Sequence, residues 1–257
     1  MKLKTILSSL VLPGALLLGT GCSKTGPAGP AGSQGPAGPS LSGNVKGHIV
    51  LYDQYGATIL TGLAGTRDSV IGTTNVGIAD STGFYKVSGL KTGIYDFAVA
   101  KAGYGTMEAQ SVQLVGGGDV YRDMKLAQKP SFNVTAVSAT LNNTTGNIDF
   151  VGTLATDTRV RSVILYVGGT SSVSSSPTTF ENYYTANVKA NGTTITISVN
   201  PSDIHDLGIN TGSTLYFAMY GVNTTFGSAS VYQDQVTGHN VFTAVSTTPA
   251  TNSYVMP

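Results

Sequence analysis

Cys22 is the only cysteine in 257 residues, so its thiol has no disulfide partner within the chain and must be explained on its own. The three histidines, His48, His205 and His239, stand far apart in sequence. None belongs to an HxH or HExxH pair or has a cysteine nearby, which is how zinc sites announce themselves. Asp203 and Asp206 flank His205. On a short helical turn that trio reads as a solvated cap, with a metal site as the alternative, and clustering with Glu181 would point to an enzyme. The chain holds no GxSxG elbow, phosphate loop or dinucleotide fingerprint, and Gly116-Gly117-Gly118 lacks the lysine and helix a phosphate loop needs. The expectation is therefore a non-enzyme with no metal or cofactor. Thirteen tyrosines are the remaining chemical resource. Tyr183, Tyr184 and Tyr232, set among Thr- and Asn-rich segments, are the first candidates for ligand contact, because an aromatic ring offers an apolar face and a polar tip.

The surroundings of Cys22 are informative. Lys2 and Lys4 precede an apolar stretch from Ile6 to Leu18, and Gly19, Thr20 and Gly21 lead into the cysteine. A basic start, a short apolar run and small residues define a secretory signal, here over residues 1–21, rather than a membrane span. The segment resembles the lipobox of bacterial lipoproteins, with Gly19 where that family usually has Leu. The resemblance implies that the Cys22 thiol is joined to diacylglycerol and its amino group acylated, which anchors the chain stably without a helix in the bilayer. Ser23 stands where enteric lipoproteins kept in the inner membrane carry Asp, which implies an outer-membrane anchor, periplasm-facing or at the cell surface.

Residues 22–40 are the next unit. Glycine recurs at 26, 29, 32, 35 and 38, giving GPA GPA GSQ GPA GPS. This is the collagen period, in which only glycine fits the axis of three polyproline-II chains. Five triplets read as an extended spacer of about 45 Å at ~3.1 Å per residue, or as a short collagen-like trimer. Removing Lys2 and Lys4 with the signal leaves 12 basic against 13 acidic residues. That balance argues against nucleic acid, which selects a clustered basic face.

From residue 41 the pattern is short apolar alternations divided by Gly, Asn, Asp and Ser, the signature of strands and tight turns. The expectation is an all-β fold of two β-sandwich domains in tandem: 41–129, 130–247, and a flexible tail over 248–257. In the first, strands are expected at 44–52, 63–70, 75–79, 84–88, 94–101, 111–115 and 121–126. Gly47 to Gly56, Ala79-Asp80-Ser81-Thr82-Gly83-Phe84-Tyr85, Gly89-Leu90 to Gly93-Ile94-Tyr95, and Lys101 to Tyr104 follow the strand and turn motifs of the carboxypeptidase regulatory-like domain, which this segment resembles. The resemblance implies a prealbumin-like accessory sandwich without peptidase activity. Asp80 is expected to cap its turn, Gly83 and Gly93 to take positive φ, and Tyr85, Tyr95 and Tyr104 to pack rather than bind.

Strands of the second domain are expected at 133–141, 147–155, 160–167, 183–189 and 193–199, then a helical turn from Pro201, and a last strand at 241–245. Leu207 to Asn223 resembles the LxPGTxYxxxVxAxN stretch of fibronectin type III domains, which implies an immunoglobulin-like sandwich with Tyr216 at a tyrosine corner. Two functions fit the order of anchor, spacer and paired sandwiches. One is an accessory or structural lipoprotein that engages another envelope protein. The other is a glycan- or substrate-binding module that uses an exposed row of tyrosines.

Overall fold

The computed structural model describes residues 41–223 and 229–257; Cys22, the signal segment and the Gly-X-Y tract lie outside them. The chain is all-β, with eighteen strands and one short helix among the described residues. The first nine strands are β1 (Ser42–Tyr52), β2 (Thr58–Ile59), β3 (Arg67–Val70), β4 (Val76–Ile78), β5 (Phe84–Lys91), β6 (Gly93–Ala100), β7 (Met107–Leu114), β8 (Asp119–Tyr121) and β9 (Met124–Ala127). They form two sheets. One runs β2-β1-β5, with β8 and β9 on the other side of β1; the second runs β4-β3-β6-β7. Alternation along β1 points Val45, Ile49 and Leu51 into a core shared with Tyr85, Val87, Phe97, Val99, Leu114 and Leu126.

The turns are built as their residues dictate. The Asp80 carboxylate accepts from the Thr82 and Phe84 amides at 2.8 and 3.1 Å, and Gly83 takes φ 82°. Tyr85 is buried, and Tyr95 and Tyr104 pack against the same core. The expectation for Gly93 is corrected: Gly89 holds the positive φ of that turn, at 75°, and Gly93 does not. The strand expected to begin at Ser111 begins at Met107. Ser111 sits at φ 55°, its amide donates to the Asp96 carboxylate at 2.7 Å, and the β6–β7 register shifts beside it. This is a β-bulge, which lets one strand continue through a break in its alternation. The strand expected over 121–126 is two strands: β8 ends at Tyr121, Arg122 and Asp123 leave the ladder, and β9 resumes at Met124. Both pair parallel with β1.

The remaining strands are β10 (Val134–Leu141), β11 (Ile148–Leu154), β12 (Arg161–Gly168), β13 (Asn182–Val188), β14 (Thr194–Val199), β15 (Thr214–Val222), β16 (Val231–Gln233), β17 (Asn240–Phe242) and β18 (Ala250–Val255), with helix α1 (Pro201–His205) after β14. A three-stranded sheet, β10-β11-β14, faces a four-stranded one, β13-β12-β15-β18, over a core that includes Phe150, Leu165, Phe217 and Met219. Asn200 caps α1, its side chain accepting from the Ser202 amide at 3.0 Å, with Pro201 at the first position.

Two expectations fail in this half. Residues 250–255 are not a tail; they are β18, paired along β15 from Thr214↔Val255 to Met219↔Ala250. Polar Thr251, Asn252 and Ser253 hide that strand from pattern reading, while the unpaired edge of β15 recruits it. Tyr216 does not form a tyrosine corner. Its hydroxyl makes no bond to backbone among the described residues, and its ring packs on the outer sheet face. That outer face is itself covered. Every residue of β12 is buried, because Ile164 and Tyr166 meet Val173, Phe180 and the β16–β17 hairpin on the side away from the core.

Candidate functional site

The two sandwiches meet in a junction of named contacts. Asn223 is fully buried and its side-chain amide donates to the Asp53 and Gln128 carbonyls at 2.8 and 3.0 Å. The Tyr55 hydroxyl donates to Asp157 at 2.7 Å, and the Arg159 guanidinium stacks 3.4 Å over the Tyr55 ring. The Gln54 side-chain oxygen accepts from the Ser131 amide and hydroxyl at 2.7 and 2.9 Å. Thr243, after β17, lies against Gly105 and donates to the Met107 sulfur.

Beside this junction the edge of the first sandwich opens into a cleft of about 360 Å³, lined by Met107, Glu108, Ala109, Arg122, Asp123, Met124, Lys125 and Val231. Three separate segments build it. β7 supplies Met107 and Glu108, and the β16–β17 hairpin supplies Val231. The interruption between β8 and β9 supplies Arg122 and Asp123. That interruption is held on four sides. The Arg122 amide donates to the Lys46 carbonyl at 2.8 Å, and its carbonyl accepts from the Tyr85 hydroxyl at 2.6 Å. Asp123 accepts from the His48 amide at 2.8 Å. Gly47 lies directly beneath, where a Cβ would strike the Arg122 carbonyl. Met107 and Met124 are buried, Glu108 and Lys125 are half-buried, and Arg122 and Asp123 face solvent. Both charge signs thus line the cleft above two buried thioethers.

Behind the cleft sits Asp68, 1% exposed, with neither carboxyl oxygen hydrogen-bonded. Burial pushes its carboxyl up to about 7, against partial opposition from the Arg122 charge. The Tyr85 hydroxyl spends its proton on the Arg122 carbonyl, and burial followed by the Asp68 charge pushes that phenol upward.

The three candidate tyrosines are not brought together. Tyr183 and Tyr184, adjacent on β13, point to opposite faces. Tyr183 packs 4.7 Å from Phe242 on the outer face and its hydroxyl accepts from the Asn240 amide at 3.0 Å. Tyr184 packs against the core between the sheets. Tyr232 packs against the core of the first sandwich, and burial, then the charge of Glu108, push its phenol up to about 12. It is thus the one candidate beside the cleft. His205 does not form a site with Asp203, Asp206 and Glu181. Its Nε2 is buried without a partner, the three carboxylates are exposed, and Glu181 accepts from the Gly169 amide at 3.2 Å. No group of three His, Cys, Asp or Glu side chains is placed to hold a metal among the described residues.

No family model matches the chain, and no curated protein matches it. Among solved structures it is similar to a "putative carbohydrate binding protein" from Bacteroides uniformis, at 16% identity over 85% of this chain and 100% of that one, with a TM-score of 0.33. A DUF3823 family protein from the same organism gives 12% identity over 85% and 100%, with a TM-score of 0.32. A cohesin–X-dockerin complex from Acetivibrio cellulolyticus gives 24% identity over 30% of this chain, a TM-score of 0.26, and 51% of that chain, so this protein spans about half its length. With TM-scores this low, none of the three fixes the activity of this chain.

Proposed function

We propose that the protein is a non-catalytic envelope lipoprotein, anchored through Cys22 in the outer membrane, whose two joined sandwiches act as an accessory module for binding another envelope protein. One observation carries the reading: the Asn223, Tyr55 and Gln54 contacts couple the sandwiches into a single body, and the charged cleft lies against that joint. The cleft pairs no nucleophile with a base, and its mixture of Glu108, Arg122, Asp123 and Lys125 fits a protein surface carrying both signs. The alternative is a glycan- or substrate-binding module, motivated by the thirteen tyrosines and the Thr- and Asn-rich loops. Tyr183, Tyr184 and Tyr232 pack, partly buried, in three different clusters, which favours the first reading.

The anchoring half is tested by growing cells with labelled palmitate and fractionating them. Label in the wild-type chain and its loss, with release from the membrane, in Cys22→Ala is expected. An unlabelled wild-type chain, or membrane retention of Cys22→Ala, sinks it.

A further inference from the structure

β8 and β9 keep one register on β1 across their interruption: Lys46 stands opposite Tyr121 before it and Ile49 opposite Met124 after it. No residue is inserted, so the break is a turned peptide and not a bulge. A parallel ladder spaces its bonds evenly, one pair for every second residue of β1. The Asn44 amide donates to the Gly118 carbonyl, and the Arg122 amide donates to the Lys46 carbonyl. The next rung of that series runs from the His48 amide to the Arg122 carbonyl, and it is not made. The His48 amide goes to the Asp123 carboxylate at 2.8 Å, and the Arg122 carbonyl takes the Tyr85 hydroxyl at 2.6 Å instead. Gly47, lacking a Cβ, gives the turned carbonyl its room.

That hydroxyl has one proton and two neighbours able to take it. The second is Asp68, 1% exposed, with neither oxygen hydrogen-bonded. The Tyr85 phenol and the Arg122 guanidinium are the groups that act on its charge. No other titratable group is turned to it among the described residues. β4 carries none; on β6, Asp96 accepts from the Ser111 amide and the Tyr95 hydroxyl donates to the Lys91 carbonyl; Lys86 and Lys91 of β5, and Arg67 beside Asp68, are exposed. Asp123 and His48 face each other at the exposed rim, 3.9 Å apart. A neutral Asp68 can donate to the Tyr85 oxygen while the Tyr85 proton stays on Arg122. An ionised Asp68 has no donor unless Tyr85 turns, and a buried carboxylate without one is costly.

We infer that the Arg122 peptide is a two-position switch thrown by Asp68: once Asp68 ionises, the Tyr85 hydroxyl turns to its carboxylate, the Arg122 carbonyl returns to the His48 amide, and β8 joins β9. The exchange frees the Asp123 carboxylate and moves one wall of the charged cleft. Its use as regulation rests on that cleft being the binding surface; the exchange itself does not. Burial raises the Asp68 pKa to about 7, so the turned peptide belongs to the acid side and the continuous strand to the alkaline side.

The test is backbone NMR of the mature-length chain, residues 22–257, carrying Cys22→Ala and followed from pH 5 to 9. The Arg122 carbonyl and His48 amide resonances are expected to move together through a one-proton transition near pH 7. A scalar coupling across the His48–Arg122 hydrogen bond should appear above that pH and vanish below it. Asp68→Asn abolishes the transition, with the coupling absent at every pH. Tyr85→Phe abolishes it too, but with the coupling present at every pH, since no hydroxyl then holds the Arg122 carbonyl away. Either variant decides the matter alone if the other fails to fold. Imidazoles change charge in the same range, so His48→Gln, which keeps the backbone amide, should leave the transition in place. No transition at Arg122, one that survives Asp68→Asn or Tyr85→Phe, or one lost in His48→Gln overturns the inference. Photo-crosslinking from position 125 reads the cleft independently, so the switch and the proposed binding surface fail separately.

Discussion

Replacing Asp68 by Asn should remove a pH dependence that the wild-type chain carries. Asp68 is enclosed on β3 with no hydrogen bond to either oxygen, and the one nearby hydroxyl, on Tyr85, is already donated to the Arg122 carbonyl. Burial raises its pKa from the ordinary 3.8 to about 7. The native state therefore keeps the proton up to about pH 7, while the unfolded chain releases it near pH 4. Between those values folding takes up a proton, and stability falls by about 1.4 kcal/mol per pH unit. The stabilisation is complete below the unfolded pKa and is lost as pH rises through the folded one, a total of about 4 kcal/mol. The Asn variant is neutral at every pH and lacks this slope. Urea unfolding at pH 4, 5.5, 7 and 8.5 measures it as the difference between the two proteins. That difference cancels Asp80, Asp119, Asp149, Asp157 and Asp234, whose hydrogen bonds lower their pKa values and whose contributions are instead lost on acidification. The variant should gain on the wild type steadily from pH 4 to 7 and level off above. Parallel curves, or a variant that loses ground as pH rises, would refute the reasoning.

Other positions give direct tests. Asn223→Ala removes donors from the Asp53 and Gln128 carbonyls in a fully buried place, and should cost about 2–4 kcal/mol; calorimetry should show the single unfolding transition broaden or split as the sandwiches uncouple. Gly47→Ala forces a Cβ into the Arg122 carbonyl and should destabilise by about 1–3 kcal/mol, with chemical-shift changes centred on Arg122 to Lys125. Tyr55→Phe deletes the bond to Asp157 but keeps the ring beneath Arg159; it should cost only about 1 kcal/mol in urea unfolding, well below Asn223→Ala.

Much of this architecture is written locally. The capped Asp80–Gly83 turn and the alternation of the 11-residue β1 each state their structure locally. The opposition of Tyr183 and Tyr184 was also legible, since neighbours on a strand face opposite ways. The cleft was not. Its residues come from 107–109, 122–125 and 231, and they meet because β8 and β9 lie parallel to β1, a pairing between segments some 75 residues apart. No local pattern records that. The same holds for β18, whose polar residues are strand only because β15 offers them a ladder.

The central claim is best tested by placing a photo-crosslinking amino acid at position 125, in the cleft, and at position 60, which is 81% exposed and outside it. Irradiation in living cells should give one discrete adduct to a different envelope protein from position 125, absent from position 60 and absent when Cys22→Ala is added. An adduct equally strong from both positions, or one that survives loss of the anchor, or only the chain's own copies at position 125, would contradict the account.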